Sequence, residues 1–271
     1  HVGEKTWVII DEVQKAPQLL DLVHKLIQKK QFKFVLTGSS ARKLKRGASN
    51  LLAGRAFVFN LFPLTVDELK DSFSLDEALK FGTLPEIFSF ENENDKMLFL
   101  KAYAQTYLKE EIVMEQVVRN LPPFRRFLDV AAQMNTDIIN YSNIAKDIHS
   151  DPKTVSGYYD ILEDTLLGFR LPAYHTSIRK QQKKASKFYL FDTGVTRALA
   201  GQVDYDLMSK SFEYGQLFEA FIINEIHRRL TYKGKQFKLS YLRVNEDMEI
   251  DLILERGNLP PVLMEIKSAA R

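Results

Sequence analysis

The chain has 271 residues, of which 45% are hydrophobic and 27% are charged, and its formal net charge is +3. This composition is typical of a folded globular protein rather than a disordered one, and the length allows two or three domains. The chain has no cysteine, which excludes disulfides and thiolate metal sites and agrees with a reducing cytoplasm. No apolar run reaches the roughly 20 residues of a membrane helix, so we expect a cytoplasmic protein without membrane contact.

The first elements predict a parallel strand–helix–strand unit. "KTWVII" (5–10) and "FKFVL" (32–36) are short apolar runs of strand type, and the residues between them carry apolar side chains at helical spacing. A right-handed crossover then joins two parallel strands. Their carboxyl ends, "DE" and "TGSS", lie at the edge of the sheet where ligands bind in open α/β folds.

An apolar strand that ends in two acids has a specific use in phosphate chemistry. Asp11 can hold Mg²⁺, and Glu12 can orient a water for attack on a γ-phosphate. The alternative is that the pair caps the next helix, where acids are favoured. The small polar residues at 37–40 end the next strand and could sense a phosphate, which favours the first interpretation.

The remaining chain divides into three segments. Residues 66–121 are mostly helical and are predicted to form a lid. Residues 122–176 contain three shorter helices followed by a strand, "GFRLPAY". Residues 177–271 contain a basic loop, a strand, the amphipathic helix "EYGQLFEAFIINEIHRRLTY" and three final strands. With residues 1–65 as the parallel-sheet part, the predicted fold class is α/β plus α.

The sequence of residues 141–174 has the pattern of a winged helix. A short helix is followed by the turn "HSDP", with Asp151 as N-cap and Pro152 at the first position of the second helix. In DNA-binding winged helices, the first residues of this second helix enter the major groove. Acids later on the same helix would repel phosphates, and winged helices also serve as protein–protein modules. The residues at the groove-facing positions are Lys153, Thr154 and Ser156.

The loop "SIRKQQKKASK" (177–187) contains no acid. Such basic clusters supply salt-dependent phosphate affinity without sequence preference, although many are simply solvated loops. The basic residues of this loop are Arg179, Lys180, Lys183, Lys184 and Lys187.

The last strands bring carboxylates and a lysine together. Asp251 lies on one predicted strand, and Glu265 and Lys267 share one face of the next because strand side chains alternate. Glu219 lies on the amphipathic helix expected to pack on this sheet. Such a set can hold one or two divalent metals and position a water for phosphodiester attack.

The segments "VIIDEVQKAP", "FVLTGSSARKL" and "LLAGRAFVFNLFPLTVDEL" resemble the second half of the AAA+-type ATPase domain in prokaryotic ATPases that carry a carboxyl-terminal DUF4143 region. The resemblance implies a truncated P-loop ATPase half with ATP and Mg²⁺ as ligands. Asp11, as metal residue, and Glu12 would form the Walker B element. Ser39, or alternatively Thr37, would be the sensor. Arg55 would be an arginine finger or phosphate sensor, unless it is a solvated loop arginine.

No G-x-x-x-x-G-K-[ST] phosphate loop occurs in the 271 residues. Because phosphate affinity comes largely from the backbone N–H groups and lysine of that loop, we expect it to precede Trp7 in a longer protein. The full-length protein should hydrolyse ATP, whereas this fragment should be inactive as an ATPase. A finger arginine acting in trans would require a homo-oligomer.

The set Glu219, Asp251 and Glu265-x-Lys267 resembles the PD-(D/E)xK nuclease superfamily, and "KFYLFDTGVTRALAG" and "GQLFEAFIINEI" resemble DUF4143 proteins. The resemblance implies an incomplete restriction-endonuclease-like domain, with Asp251 and Glu265 as metal ligands. The sequence thus predicts an ATPase that couples nucleotide turnover to a nuclease-like region contacting DNA or RNA. The alternative is a non-catalytic DNA-binding or protein–protein regulatory module with vestigial sites.

Overall fold

The computed structural model describes residues 6–29, 32–38, 56–107, 121–175, 177, 181, 184–244 and 248–268. The chain forms two compact units. The first lies within His1–Phe59 and takes in Asp164–Leu166, and the second comprises Asn60–Glu163 and Leu167–Arg271. Across these described ranges, no helix is both long and apolar enough to cross a membrane.

The first unit is the predicted parallel crossover. Strands β1 (Thr6–Ile10) and β2 (Phe32–Leu36) pair in parallel, and helix α1 (Leu19–Gln28) connects them after a 3-10 turn at Val13–Lys15. The prediction of two parallel strands joined by a helix is therefore confirmed.

The two faces of this small sheet differ in their surroundings. Phe34 and Leu36 pack with Leu20 and Val23 of α1. On the other side, Trp7 is 60% exposed, and Ile9 and Val35 are exposed as well. Apolar side chains on both faces are typical of a parallel sheet that is covered by helices on each side.

The second unit is built mainly of helices. Its helices are α2 (Val66–Leu69), α3 (Leu75–Phe81), α4 (Glu93–Ala102), α5 (Leu121–Gln133), α6 (Tyr141–Asp147), α7 (Pro152–Asp164), α8 (Thr193–Leu199) and α9 (Phe212–Tyr232). Short 3-10 turns lie at Lys70–Ser72 and Pro85–Ser89, and a π-helical turn lies at Tyr103–Tyr107.

Side-chain caps explain where several of these helices begin. Thr65 and Glu68 form a capping box at α2. The carboxylate of Asp151 accepts a hydrogen bond from the backbone N–H of Thr154 at 2.9 Å. This confirms the predicted cap and the predicted start of α7 at Pro152. Such caps satisfy N–H groups that have no partner within the helix.

The strands of the second unit form two antiparallel sheets. β3 (Gly168–Leu171) pairs with β4 (Lys187–Leu190), and Ile138 adds an antiparallel bridge to Lys187. The other sheet has the order β5–β6–β7, with β5 at Lys238–Arg243, β6 at Glu249–Arg256 and β7 at Leu259–Met264. These three final strands were predicted from the sequence.

The largest hydrophobic cluster of the described residues extends from Phe81 to Val203. Phe127 and Phe188 both contact Tyr159, with ring centroids 4.8 and 4.7 Å away. The predicted boundaries at 121/122 and 176/177 fall within this core, and the second of them separates the paired strands β3 and β4. The lid-like and winged-helix-like segments thus pack as one body.

Three strand ends differ from their prediction. "GFRLPAY" stops being a strand at Leu171, because Pro172 has no N–H to donate to a ladder. Lys187 is the buried first residue of β4 rather than part of the exposed loop. β7 ends at Met264, so Glu265 and Lys267 follow the strand instead of lying on it.

Candidate functional sites

The carboxyl edge of the first sheet joins Asp11 to Thr37. Thr37 follows β2, and its hydroxyl donates a short hydrogen bond to the Asp11 carboxylate. The backbone supports this contact, since the Thr37 N–H donates to the Ile10 carbonyl at 3.0 Å and the Val13 N–H donates to the Thr37 carbonyl at 3.1 Å. A carboxylate and a hydroxyl are thereby held side by side where the two parallel strands end.

Glu12 adopts an unusual backbone conformation at the same edge. Its φ is 52°, in the left-handed region, which costs a residue with a side chain about 1 kcal/mol. Its carboxylate lies 3.5 Å from the ammonium of Lys15. Strained backbone of this kind is often retained at functional sites. The predicted sensor Ser39 and the predicted arginine Arg55 lie outside the described residues.

The three residues of α7 that are predicted to enter a nucleic-acid groove differ in their contacts. Lys153 is exposed. The Thr154 hydroxyl donates to the Asp151 carboxylate at 2.6 Å, which lowers the pKa of Asp151. The Ser156 carbonyl accepts a hydrogen bond from the Arg170 guanidinium at 3.1 Å. Thr154 therefore serves as part of the cap, and Lys153 is the side chain presented to solvent.

Two of the three acids that follow on α7 pair with an arginine from β3. The Arg170 guanidinium forms ion pairs with Asp160, at 2.8 Å, and with Glu163. The Arg170 backbone N–H also donates to the Glu163 carboxylate at 2.7 Å. Because Arg170 offsets their charge, these acids oppose phosphate contact less than the sequence alone suggests. Of the predicted loop residues, Lys184 is exposed, and Arg179, Lys180 and Lys183 lie outside the described residues.

The predicted nuclease-like residues divide between two places. Glu219 of α9 accepts hydrogen bonds from the Tyr189 hydroxyl at 2.7 Å and from the Lys187 ammonium at 3.1 Å. Lys187 also forms a short ion pair with Glu249 of β6. Glu265 and Lys267 instead form an ion pair with each other at 2.8 Å, with the Lys267 side chain 64% exposed.

Asp251 is linked through the backbone to the segment that carries Glu265 and Lys267. Its carboxylate accepts a hydrogen bond from the Ile266 N–H at 2.6 Å. This contact explains why the ladder ends at Met264, since Ile266 donates to a side chain rather than to a strand. The predicted turn between β6 and β7 does bring Asp251 close to residue 265, because Leu252 pairs with Met264.

Lys187, Glu219, Glu249 and Asp251 form one cluster. Burial and ion pairing have opposite effects on the pKa values of Lys187, Glu219 and Asp251. Burial raises the pKa of Glu219, and Lys187 and Tyr189 partly offset this effect. It also raises the pKa of Asp251, against the Ile266 hydrogen bond and the Lys187 charge. For Lys187 itself burial favours the neutral amine, but Glu219 and Glu249 outweigh burial and raise the pKa. Lys187 is therefore an ammonium at neutral pH.

The described part of the chain contains no group of three or more histidine or acidic side chains arranged to hold a metal ion. Asp251 and Glu265 were predicted as metal ligands, yet Glu265 is paired with Lys267 and the carboxylates nearest Asp251 are engaged by Lys187. Lys187, rather than a further carboxylate, bridges Glu219 and Glu249, so the described side chains are not arranged as a divalent metal site.

Sequence reasoning missed two members of this cluster. Lys187 immediately precedes the apolar run "FYLF", so it was assigned to the basic loop although it begins a buried strand. Glu249 lies two residues before Asp251, and a period of two places both on one face of β6. That spacing was a signal that could have identified Glu249.

These observations define an α/β unit with a parallel pair of strands, followed along the chain by a mainly helical unit with two antiparallel sheets. Comparison with protein families agrees with this division. Residues 1–70 match the family model of an AAA domain. Residues 72–206 match a domain of unknown function, DUF8612, and residues 214–271 match the domain of unknown function DUF4143. The resemblance to AAA-type ATPases with a DUF4143 region is confirmed at this level.

The chain is also similar to proteins that have no described function. An uncharacterized protein of Mycobacterium tuberculosis is 26% identical over 255 residues, which cover 93% of this chain and 57% of the relative. An uncharacterized protein of Methanocaldococcus jannaschii is 24% identical, covering 96% of this chain and 64% of the relative. The chain thus spans about three fifths of the length of these relatives. No solved structure matches it.

Proposed function

We propose that the full-length protein is a magnesium-dependent ATPase of the AAA type. The observation that carries the proposal is the contact between Asp11 and Thr37 at the carboxyl edge of a parallel sheet, within the residues that match an AAA domain. Carboxylate and hydroxyl oxygens are ligands that suit Mg²⁺. When bound, the ion would neutralise charge on the β- and γ-phosphates.

The residues of this edge have distinct proposed roles. Asp11 holds the metal, and the hydroxyl of Thr37 keeps the Asp11 carboxylate in place. Glu12 orients the attacking water. Ser39 is the proposed phosphate sensor and Arg55 the proposed finger, which would act between subunits if the protein is a homo-oligomer.

The phosphate loop is proposed to lie in a segment outside these 271 residues. Their sequence contains no such motif, and the relatives are considerably longer. The exposed side chains of Trp7, Ile9 and Val35 support this proposal, because a strand and helix that carry the loop would cover an apolar face of the sheet.

Titration with ATP tests this proposal. The full-length protein is expected to bind ATP in the micromolar range with Mg²⁺ and to hydrolyse it. The 271-residue chain is expected to show neither, because the phosphate-binding N–H groups and lysine are absent from its sequence. Isothermal titration calorimetry and phosphate release measure both. Micromolar Mg²⁺-dependent binding by the 271-residue chain contradicts the second expectation, and absence of hydrolysis in the full-length protein contradicts the first.

We also propose that the predicted winged helix, residues 122–176, together with the strand β4 that pairs with β3, binds DNA or RNA through phosphate contacts. The order of elements along the chain agrees with that fold: α5, the bridge at Ile138, α6, α7, β3 and β4. The basic loop connects the paired strands β3 and β4, as a wing does. Arg170 pairs with two of the acids of α7, Asp160 and Glu163, and Lys153 and the loop supply the positive charge. ATP hydrolysis would then drive a rearrangement of this region.

The salt dependence of binding tests the nucleic-acid proposal. The chain is expected to bind a labelled 20-base-pair duplex with micromolar affinity at low salt. Lys153→Gln is expected to weaken binding several-fold and to reduce the slope of log K against log[KCl] by about 0.9, since one phosphate contact is lost. Fluorescence anisotropy measures both quantities. Lys235→Gln removes an equally exposed lysine beyond the end of α9, and it should leave the slope unchanged.

Two outcomes would contradict winged-helix binding. One is an identical slope for Lys153→Gln and Lys235→Gln, which would mean that α7 does not contact phosphate. The other is a lack of binding to duplex and single-stranded DNA and RNA even at low salt. That result would favour the alternative of a protein–protein regulatory module.

A further inference from the structure

Lys187 is the most deeply buried cation in contact with the nuclease-like carboxylates, its side chain being only 6% exposed. Its ammonium contacts Glu219 of α9 and Glu249 of β6. It also lies 5.7 Å from the centre of the Tyr241 ring on β5. One lysine of β4 is thus joined to three elements of the carboxyl-terminal region.

The cluster around Lys187 already has more negative than positive charge. Glu219, Glu249 and Asp251 are three carboxylates, and the Arg243 guanidinium approaches Glu249 at 3.8 Å. A buried ammonium is stable only when carboxylates compensate for its lost hydration. Buried carboxylates likewise need a cation nearby that compensates for their lost hydration. In nuclease-like sites that cation is a metal, whereas here an ammonium of the chain is present.

We infer that the Lys187 ammonium is the resident cation of this carboxylate cluster and fastens β4 to α9 and β6 in place of a divalent metal. The cluster then serves as a clamp rather than a nuclease centre. Since β4 also pairs with β3, the clamp anchors the hairpin that carries the basic loop to the carboxyl-terminal sheet. This inference does not depend on the proposed ATPase.

Removal of the lysine should allow these carboxylates, which are not arranged to hold a metal ion in the wild-type chain, to converge and form a metal site. Lys187→Met retains the length of the side chain but leaves Glu219, Glu249 and Asp251 without their ammonium. The variant is expected to bind Mn²⁺ at least tenfold more tightly than the wild-type chain, as measured by the electron paramagnetic resonance of free Mn²⁺. The additional substitution Glu219→Gln should abolish this gain.

Lys101→Met is the matched control. Lys101 is also paired with a carboxylate, Asp204, at 2.5 Å, but the two side chains are 36% and 55% exposed. The control should therefore leave both Mn²⁺ binding and the melting temperature unchanged, whereas Lys187→Met should lower the melting temperature by about 10 °C in the absence of metal.

Three results would overturn the inference that Lys187 replaces a metal. The first is that folded Lys187→Met binds Mn²⁺ no more tightly than the wild-type chain. The second is that the wild-type chain binds Mn²⁺ and that Glu219→Gln abolishes this binding. The third is that the wild-type chain cleaves DNA with Mg²⁺ and that Glu219→Gln abolishes the cleavage. If Lys187→Met does not fold, the double variant Lys187→Met/Glu249→Gln provides the test, because it removes one charge of each sign. Its melting temperature should lie within a few degrees of that of Glu249→Gln, and failure of the double variant to fold would also overturn the clamp.

Discussion

Glu12→Gln is expected to reduce ATP hydrolysis by the full-length protein at least about 100-fold while leaving ATP binding within a few-fold of wild type. Glutamine has the shape of glutamate but cannot act as a base or as a charged acceptor for the attacking water, and such groups contribute roughly 10²- to 10⁴-fold to catalysis. The contact between Asp11 and Thr37 is not altered by this substitution, so the proposed metal position is retained. Steady-state phosphate release and titration with a fluorescent ATP analogue separate the two effects.

Asp21→Asn is the matched control for this experiment. Asp21 is an exposed acid in the first turn of α1, within the same unit. Its substitution removes one negative charge without changing the sheet edge, and hydrolysis should remain within about twofold of wild type. If Glu12→Gln hydrolyses ATP as fast as Asp21→Asn does, Glu12 does not activate the water and the proposed Walker B assignment is wrong.

Arg228→Met is expected to destabilise the second unit by about 3–5 kcal/mol, a large part of the stability of a typical domain. Arg228 is 3% exposed on α9. Its guanidinium donates to the Leu64 carbonyl at 3.3 Å, to the Thr83 hydroxyl at 3.0 Å and to the Phe191 carbonyl. Methionine would leave these acceptors without a donor, and unsatisfied buried groups cost far more than exposed ones.

The same substitution also affects a buried carboxylate. Asp192 accepts hydrogen bonds from the Thr83 N–H at 2.7 Å and the Val195 N–H at 3.0 Å. Burial raises the pKa of Asp192, and the nearby Arg228 charge counteracts the rise. A side chain at Gly82 or Gly194 would collide with this packing, since an added Cβ would lie 2.0 Å from Asp192 Oδ1 or 2.1 Å from the Phe81 carbonyl oxygen. The surroundings of Asp192 therefore cannot easily relax when Arg228 is lost.

Arg229→Met provides the comparison at the adjacent position. Arg229 is 37% exposed, and its guanidinium pairs with Asp67 at 2.8 Å and with Glu225 at 2.5 Å. The exposed pair with Asp67 contributes about 1 kcal/mol or less. Glu225 is only 10% exposed, but its carboxylate keeps the hydrogen bond from the Val66 N–H at 3.1 Å, so this variant should be destabilised clearly less than Arg228→Met in urea. Equal destabilisation by the two substitutions would contradict the importance assigned to the buried contacts of Arg228.

The chain offers separate optical reporters for its two units. The single tryptophan is Trp7, in the first unit, and all 11 tyrosines lie after residue 60. Unfolding followed by tyrosine circular dichroism should respond to Arg228→Met, whereas Trp7 fluorescence should not. Together the two signals locate the destabilisation within the second unit.

Local sequence patterns were sufficient for many of the elements. The parallel pair β1–β2, the start of α7 at Pro152 and the three strands at the carboxyl end were all predicted from periodicity and capping residues. The adjacency of Asp11 and Thr37 followed as well, because the ends of two neighbouring parallel strands meet at one edge. These features depend on residues that are close in sequence or on the regular geometry of a sheet.

Contacts between distant segments could not be predicted in this way. The strand β4 pairs back with β3 across the basic loop, which buries Lys187 and joins it to Glu219 and Glu249. In the sequence, the charge of Lys187 and its basic neighbours indicate a solvated loop. Likewise, a core that extends from Phe81 to Val203 joins segments that the sequence separated at Pro122.

The sequence by itself determined where most helices and strands form and which strand ends carry carboxylate and hydroxyl side chains, because these depend on local periodicity and hydrogen bonding. Only the tertiary structure decided which lysine neutralises the carboxylates of the second unit. A lysine becomes a resident cation through burial beside acids from other elements, and burial is a property of the packed chain rather than of any short segment.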